Sequence, residues 1–207
     1  DILPTTSFQR EETSLSSDDS YGVRDTRSSG YSIIINHSDE LFDDVATRRA
    51  LAMGLSREDL LVDMQSAGGL PLQPAYSWIP PHVWGTSGDN LRSLALTDKL
   101  AADSWYIGGG SAGVSIELIY SSEDTVQTAI APLLKKHWEE HLPVEVLLRG
   151  ERSEEYYADI VSGTYQLALA EWAEKSPDPT LWLSDFRTSA TENFARFSDP
   201  QFDKIFE

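Results

Sequence analysis

The chain has 207 residues, and its 16 Lys and Arg against 34 Asp and Glu leave a formal net charge of −18, which argues against nucleic acid or an anionic membrane surface as main partner. Cysteine is absent, which excludes disulfides, thiolate metal sites and cysteine nucleophiles within these residues. A composition 40% hydrophobic and 10% aromatic is globular, enough for one substantial core or two small ones, and no apolar run approaches the roughly eighteen residues of a membrane span.

The sequence opens at Asp1 without Met, a basic stretch or an apolar leader, so it reads as an excised piece whose start gives no compartment. Residues 7–30 are rich in Ser, Asp, Arg and Thr with almost no apolar period, and are expected to form a loose, partly irregular connection. Tyr31–Asn36 (YSIIIN) is β-branched and reads as a short strand. Asp43–Gly54 has helical spacing, with Val45, Ala46, Arg49, Ala50 and Met53 along one side. Ser56 is placed to cap the next helix, with Asp59 three residues on as its capping-box partner. Residues 68–90 hold four of the ten prolines and read as a long, turn-rich loop, and Asp98–Ser104 follows as a third helix after a Thr97 cap.

From Val114 the pattern becomes regular. Val114–Tyr120 reads as a strand, and Ser121 or Ser122 caps a long helix to about His141, with Glu123 and Asp124 at its positive end. Val144–Leu148 is a second strand, Glu154–Val161 a helix and Thr164–Ala170 a third strand. This alternation predicts an α/β fold: a mixed, mainly parallel sheet flanked by helices, with right-handed crossovers.

The third strand runs into Trp172, then Glu174-Lys175-Ser176, then Pro177-Asp178-Pro179. Open α/β sheets take up ligands at the carboxyl ends of their strands, where side chains leave the core. Trp172, Glu174 and Lys175, with Leu169 on the strand itself, are therefore the candidate ligand grip.

The same block resembles the extracellular solute-binding proteins of peptide-type ABC transporters, family 5, whose members end this strand with Trp, a short acidic loop and Asp-Pro. Other pieces are similar in the same order. Asp1-Ile2 fits the strand end where the family crosses between lobes, and YSIIIN fits the strand that follows. Phe42–Leu61 is similar to the family's signature helix pair, with Arg48, Ala50, Leu51 and Arg57 in register and Gly54-Leu55-Ser56 in place of the usual Ala-Ile-Asp. Gly69–Pro81 fits a Gly- and Pro-marked loop, and Asn193 with Phe202-Asp203 fits the late Asn and Phe-Asp pair.

The resemblance implies a periplasmic-binding-protein type II-like fold. Residues 1–30 would be the connection between lobes, and residues 31–207 a truncated second lobe whose first lobe is missing. It implies a receptor without catalysis, cofactor or metal, binding a peptide or similar small solute outside the cytoplasm, as a periplasmic protein or cell-surface lipoprotein, and serving a membrane ABC permease. In peptide-binding members an Asp three residues after the Trp pairs with the ligand's α-amino group, but here that position is Lys175. A cation cannot pair with an ammonium. Glu174 takes that part if the loop shifts, or the ligand presents an anionic or neutral group, or Lys175 faces solvent and recognition lies elsewhere.

Two other functions compete. A solute-sensing domain of a transcriptional regulator would share this ancestry. A zinc peptidase is suggested by His137-Trp138-Glu139-Glu140-His141, an H-x-x-E-H pattern that sets two imidazoles on one helical face. Lys135, Lys136, Glu139 and Glu140 around it, and Pro143 beyond, read instead as a solvated helix end. Gly108-Gly109-Gly110-Ser111 lacks the Lys of a phosphate loop and reads as a turn. Tyr76, Trp78 and Trp84 would anchor the proline-rich loop or line a cleft.

Overall fold

The computed structural model of the chain describes residues 7–11, 28–66, 72–75, 78–79, 98–173, 176 and 178–207. In chain order the elements are β1 (Ser7–Glu11), β2 (Ser28–Ile35), α1 (Val45–Met53), α2 (Arg57–Ser66), β3 (Leu72–Ala75), α3 (Asp98–Ile107), β4 (Val114–Ser121), α4 (Thr125–His141), β5 (Val144–Glu151), α5 (Ser153–Ser162), β6 (Leu167–Ala173), α6 (Pro179–Ser184) and α7 (Pro200–Asp203). Among the described residues the strands form one sheet in the order β3-β1-β2-β6-β4-β5. The expected mixed sheet is present: β4 is parallel to both β5 and β6, while β2 is antiparallel to β6 and β1 to both β2 and β3.

The strand order decides where the helices lie. The chain steps outward from β4 to β5, then back past β4 to β6. Right-handed crossovers in opposite directions place their helices on opposite faces of a sheet. Accordingly α4 buries Ile130, Ala131, Leu134 and Trp138 in the main core, beside α1, α2 and α3, while α5 buries Tyr156 and Ile160 in a smaller cluster on the other face. Parallel strands covered on both sides have apolar residues at both parities. In β4, Ile116 and Leu118 face the main core and Ile119 the smaller cluster; in β6, Leu167 and Leu169 face the main core and Ala168 the smaller one.

Buried polar groups tie these layers together. Asn36, 4% exposed at the end of β2, donates to the carbonyls of Gly163 and Tyr165 at 3.0 and 2.7 Å and accepts from the Ser38 backbone N–H and hydroxyl. Both donors and the acceptor of the amide are therefore in use, and the entry to β6 is pinned to the exit of β2. Gly163 ends α5 at φ +79°, its N–H bonded to the carbonyls of Asp159 and Ile160. A side chain there would meet a strained backbone and the Arg196 guanidinium at about 3.0 Å. Arg149 on β5 binds Glu117 of β4, Glu151, Asp159 of α5 and the Thr164 carbonyl.

At the end of the described sheet, the backbone of Val146 turns away from β4. Its N–H donates to Glu139 Oε1 at 2.8 Å and its carbonyl accepts from Lys135 Nζ at 2.6 Å, while Lys135 and Glu139 pair with each other at 2.8 Å. At Val146 the edge is covered by side chains from α4.

Several expectations are corrected. Ser7–Glu11 is a strand and Ser28–Gly30 belong to β2, because each half of this polar stretch gains a full ladder with its neighbour; residues 12–27 lie outside the described residues. The α1 face that is buried is Thr47, Ala50, Leu51, Ala52 and Met53, with Val45, Ala46 and Arg49 only half covered. Strand β6 is shifted to Leu167–Ala173 and so contains Trp172. The cap of α4 is Asp124, which accepts from the N–H groups of Val126 and Gln127 at 2.8 and 3.1 Å; Ser121 is the last residue of β4, and its N–H is taken by Gln127 Oε1. Replacing Asp124 with Ala is expected to cost about 1 kcal/mol of stability, read as a lower urea midpoint at unchanged m-value. No change in the midpoint would mean that Ser122 or water takes over the cap.

Candidate ligand-binding site

At the carboxyl ends of β4 and β6 the chain leaves the sheet towards opposite faces, the switch-point geometry that opens a crevice in α/β folds. A cavity of about 630 Å³ lies there. Its floor is β2 and β6, through Ile34, Ala170 and Trp172; one wall is α5, through Tyr156, Tyr157 and Ile160. Trp182 and Phe186 of the α6 region, and Phe194 and Phe197 beyond it, form the other wall.

The aromatic corner is built from three tryptophans. Trp172 meets Trp182 edge-on, with ring centroids 5.2 Å apart at 84°, and Trp78 at 6.0 Å; Trp78 in turn meets Phe186 at 5.3 Å. Such tilted contacts bring the positive ring edge to the negative ring face. Trp182 donates its indole N–H to the Ser176 carbonyl at 2.7 Å, and Trp78 donates to the Trp182 carbonyl at 3.1 Å. The Trp172 N–H is buried without an acceptor among the described residues. A buried donor left open in this way is costly until something accepts from it.

The polar groups of the wall are mostly occupied. The Tyr156 hydroxyl donates to the Leu169 carbonyl at 2.7 Å, and burial pushes its pKa far up, so it stays protonated. His37 packs edge-on against Phe197, and burial together with the Arg48 charge lowers its pKa to about 4, which leaves a neutral imidazole at ordinary pH. Asp178 caps the start of α6: it accepts from the Thr180 N–H at 2.9 Å, with Pro179 in the first helical turn. Site geometry thus rests on local caps and aromatic contacts.

The sequence model of the bacterial extracellular solute-binding proteins, family 5 Middle, matches residues 2–194. The chain belongs to that family. Among relatives of family 5, the periplasmic oligopeptide-binding protein OppA of Salmonella typhimurium is 25% identical over 179 residues, 83% of this chain and 32% of its own length. The periplasmic murein peptide-binding protein MppA of Escherichia coli is 23% identical over 172 residues, 78% of this chain and 30% of its own. The chain thus spans about a third of the curated relatives it matches. A solved structure of Haemophilus influenzae OppA in complex with RPPGFSPFR superposes with a TM-score of 0.73 at 22% identity, over 85% of this chain and 35% of that one. The fold is that of the type II periplasmic binding proteins.

The family 5 signature residues mostly build the scaffold. Arg48 donates to the carbonyls of Phe42 and Asp43 at 2.6 and 2.9 Å, and Ala50 and Leu51 are in the main core. Asn193 binds the Phe197 backbone on both sides and the Arg187 carbonyl, folding the segment that walls the cavity. Of the candidate ligand residues, Trp172 lines the cavity and is half-buried. Leu169 is corrected: it is 1% exposed in the main core, facing away from Trp172, and only its carbonyl is engaged from the cavity side. Glu174 and Lys175, like Tyr76 and Trp84, lie outside the described residues.

His137 and His141 do share a face of α4, with rings 6.1 Å apart. His137 is 3% exposed and its Nε2 is 3.2 Å from Asp63 of α2, while His141 Nδ1 is 3.2 Å from the carbonyl of Gly54. The pair fastens α4 to the ends of α1 and α2. Among the described residues no three His, Asp or Glu side chains converge to hold a metal ion. The cavity residues missed at the sequence level are His37, Tyr156, Tyr157, Phe186, Phe194 and Phe197; the doublet Tyr156-Tyr157, on the helix just before the candidate strand, was the available signal.

Proposed function

We propose that this chain is the second ligand-binding lobe of an extracytoplasmic receptor that presents peptides or similar small solutes to a membrane ABC permease. The ligand is enclosed between this lobe and a first lobe, and the protein binds without chemical conversion. The observation that carries the reading is the cavity of about 630 Å³ at the carboxyl end of the central strand, with Trp172 in its wall, its indole N–H without an acceptor among the described residues. Such a volume is in the range of small-ligand sites, and its mostly apolar wall suits side chains rather than a bare ion. Membership of family 5 supports the same reading, as do relatives whose names describe periplasmic peptide-binding proteins.

In this reading Trp172 supplies the flat surface for the ligand, and Glu174 and Lys175 follow it as the charged part of the grip. The test is to purify the full-length protein without denaturation and identify by mass spectrometry what is released on unfolding. Short peptides are expected, and restoring them at about a hundred times Kd should add roughly 2.7 kcal/mol of stability. Protein that carries nothing and is not stabilised by any peptide mixture, or that cleaves the peptides, defeats the reading.

A further inference from the structure

We propose that this cavity selects ligands by an aromatic side chain, taking peptides with Phe, Tyr or Trp over those with only small or polar residues, whatever their charge. The proposal deepens the receptor reading and rests on it. Five rings around the cavity are only partly covered by the protein: Trp78, Trp172, Phe186, Phe194 and Tyr157. On the α5 wall Tyr157 is 64% exposed and stands edge-on to the buried Tyr156, with centroids 5.4 Å apart at 68°. On the other wall Phe186 meets Trp78 at 5.3 Å and 74°, and Trp78 tilts against Trp172 at 6.0 Å. Apolar surface gathered in one concave place is costly to leave in water and marks a site that a partner covers.

The polar groups of the lining are engaged already. Tyr156 donates to the Leu169 carbonyl at 2.7 Å, and Gln127 accepts from the Ser121 N–H at 2.8 Å. Asp124 caps α4, Glu123 accepts from the Ser153 N–H at 3.2 Å, and Asn193 holds Phe197 by both ends of its amide. Glu171, Asp185 and Glu192 each interact with another group of the protein. The Trp172 N–H, open among the described residues, is itself buried. A polar side chain entering here gives up its water for groups that already have partners, which costs affinity. Glu174 and Lys175, which follow Trp172 in the sequence, are opposite in sign and together favour neither charge on a ligand.

A ligand ring gains in two ways. It takes a large flat area out of water while only two side-chain torsions are fixed. Its edge also meets ring faces on the walls, a contact open only to an aromatic partner. The cavity of about 630 Å³ has room for such a ring. A Ser or Ala side chain would leave the facing walls without neighbours, and each gap forfeits dispersion contacts.

The test mixes the full-length protein, stripped of bound material, with random peptides of about two to eight residues and identifies those retained by mass spectrometry. Phe, Tyr and Trp together should be enriched over the input. A retained sequence is then synthesised with Phe, cyclohexylalanine or Ser at its aromatic position and titrated by calorimetry. The Phe peptide is expected to bind at least about tenfold more tightly than the Ser peptide. It should bind about two- to tenfold more tightly than the cyclohexylalanine peptide, which has the bulk of Phe without the ring quadrupole. Both ratios should hold between about 0.02 and about 0.5 M salt. Phe186→Leu should bring the Phe to cyclohexylalanine ratio towards one, whereas Tyr106→Leu, an exposed ring outside the cavity, should not. Retained peptides without aromatic enrichment, or cyclohexylalanine binding as tightly as Phe, would overturn the aromatic selection and leave the receptor reading intact. If no peptide is retained and none shifts the melting temperature, the receptor reading fails and this proposal fails with it.

Discussion

Trp172→Ala in the full-length protein is expected to weaken peptide binding by about 1–3 kcal/mol, roughly five- to 150-fold, the range of a buried aromatic anchor. The ring stands where β6 leaves the sheet, half-buried, with Trp182 and Trp78 against it at 5.2 and 6.0 Å. Truncation removes the surface on which a ligand would lie and lets both neighbours collapse into the space, so the loss should fall mainly on the dissociation rate. Trp172→Phe keeps a ring but loses the open indole donor and should recover most of the affinity. Calorimetric titration of wild type and both variants with one peptide decides the matter. Unchanged affinity in the alanine variant, with the protein folded, would move the site away from this strand.

The largest effect on stability is expected at Trp138. Its side chain is 1% exposed in the main core, packed where α4 meets α1, and its indole N–H reaches the Leu51 carbonyl at 2.9 Å. Trp138→Ala should cost about 3–5 kcal/mol, combining lost burial with a cavity that its surroundings fill only in part. A further share comes from a buried carbonyl left without its donor. Trp138→Phe separates these: it retains most of the volume and should lose about 1–3 kcal/mol, chiefly for the orphaned carbonyl. Urea unfolding followed by circular dichroism measures both. A loss below about 1 kcal/mol for the alanine variant would show that the α1–α4 contact is not part of the cooperative core.

The strand and helix alternation from Val114 to Ala173 was legible because each segment buries its own apolar face and shows the matching period. The position of Trp172 followed from the same pattern, since strand ends are where a sheet exposes side chains to a ligand. Strand parity alone separates Leu169 from Trp172: residues three apart point to opposite faces, so the two cannot share one site. Strand β1 was illegible for another reason. Ser7–Glu11 has no apolar face, and its conformation comes from pairing with β2 and β3, a case of tertiary context outweighing intrinsic preference. In the polar run Ser121 to Asp124 both serines offered a cap, and only the end of β4 at Ser121 moves it on to Asp124. The histidine pair on α4 was visible as a pattern, but its partners, Asp63 and Gly54, are more than seventy positions away. His37, Phe186 and Phe194 entered the cavity by the same kind of distant pairing.

The closure of Val146 by Lys135 and Glu139 bears on how the protein behaves at high concentration. An unpaired strand at the end of a sheet is a template on which a second molecule can extend the ladder, and such growth is open-ended. Here an arriving strand would have to displace two charged hydrogen bonds and strand an ammonium and a carboxylate against its own backbone. The ion pair on α4 that looks like ordinary surface decoration thus occupies the outward backbone groups that an added strand would need at Val146. Its removal should be felt first in solubility at high concentration, well before any change in ligand binding.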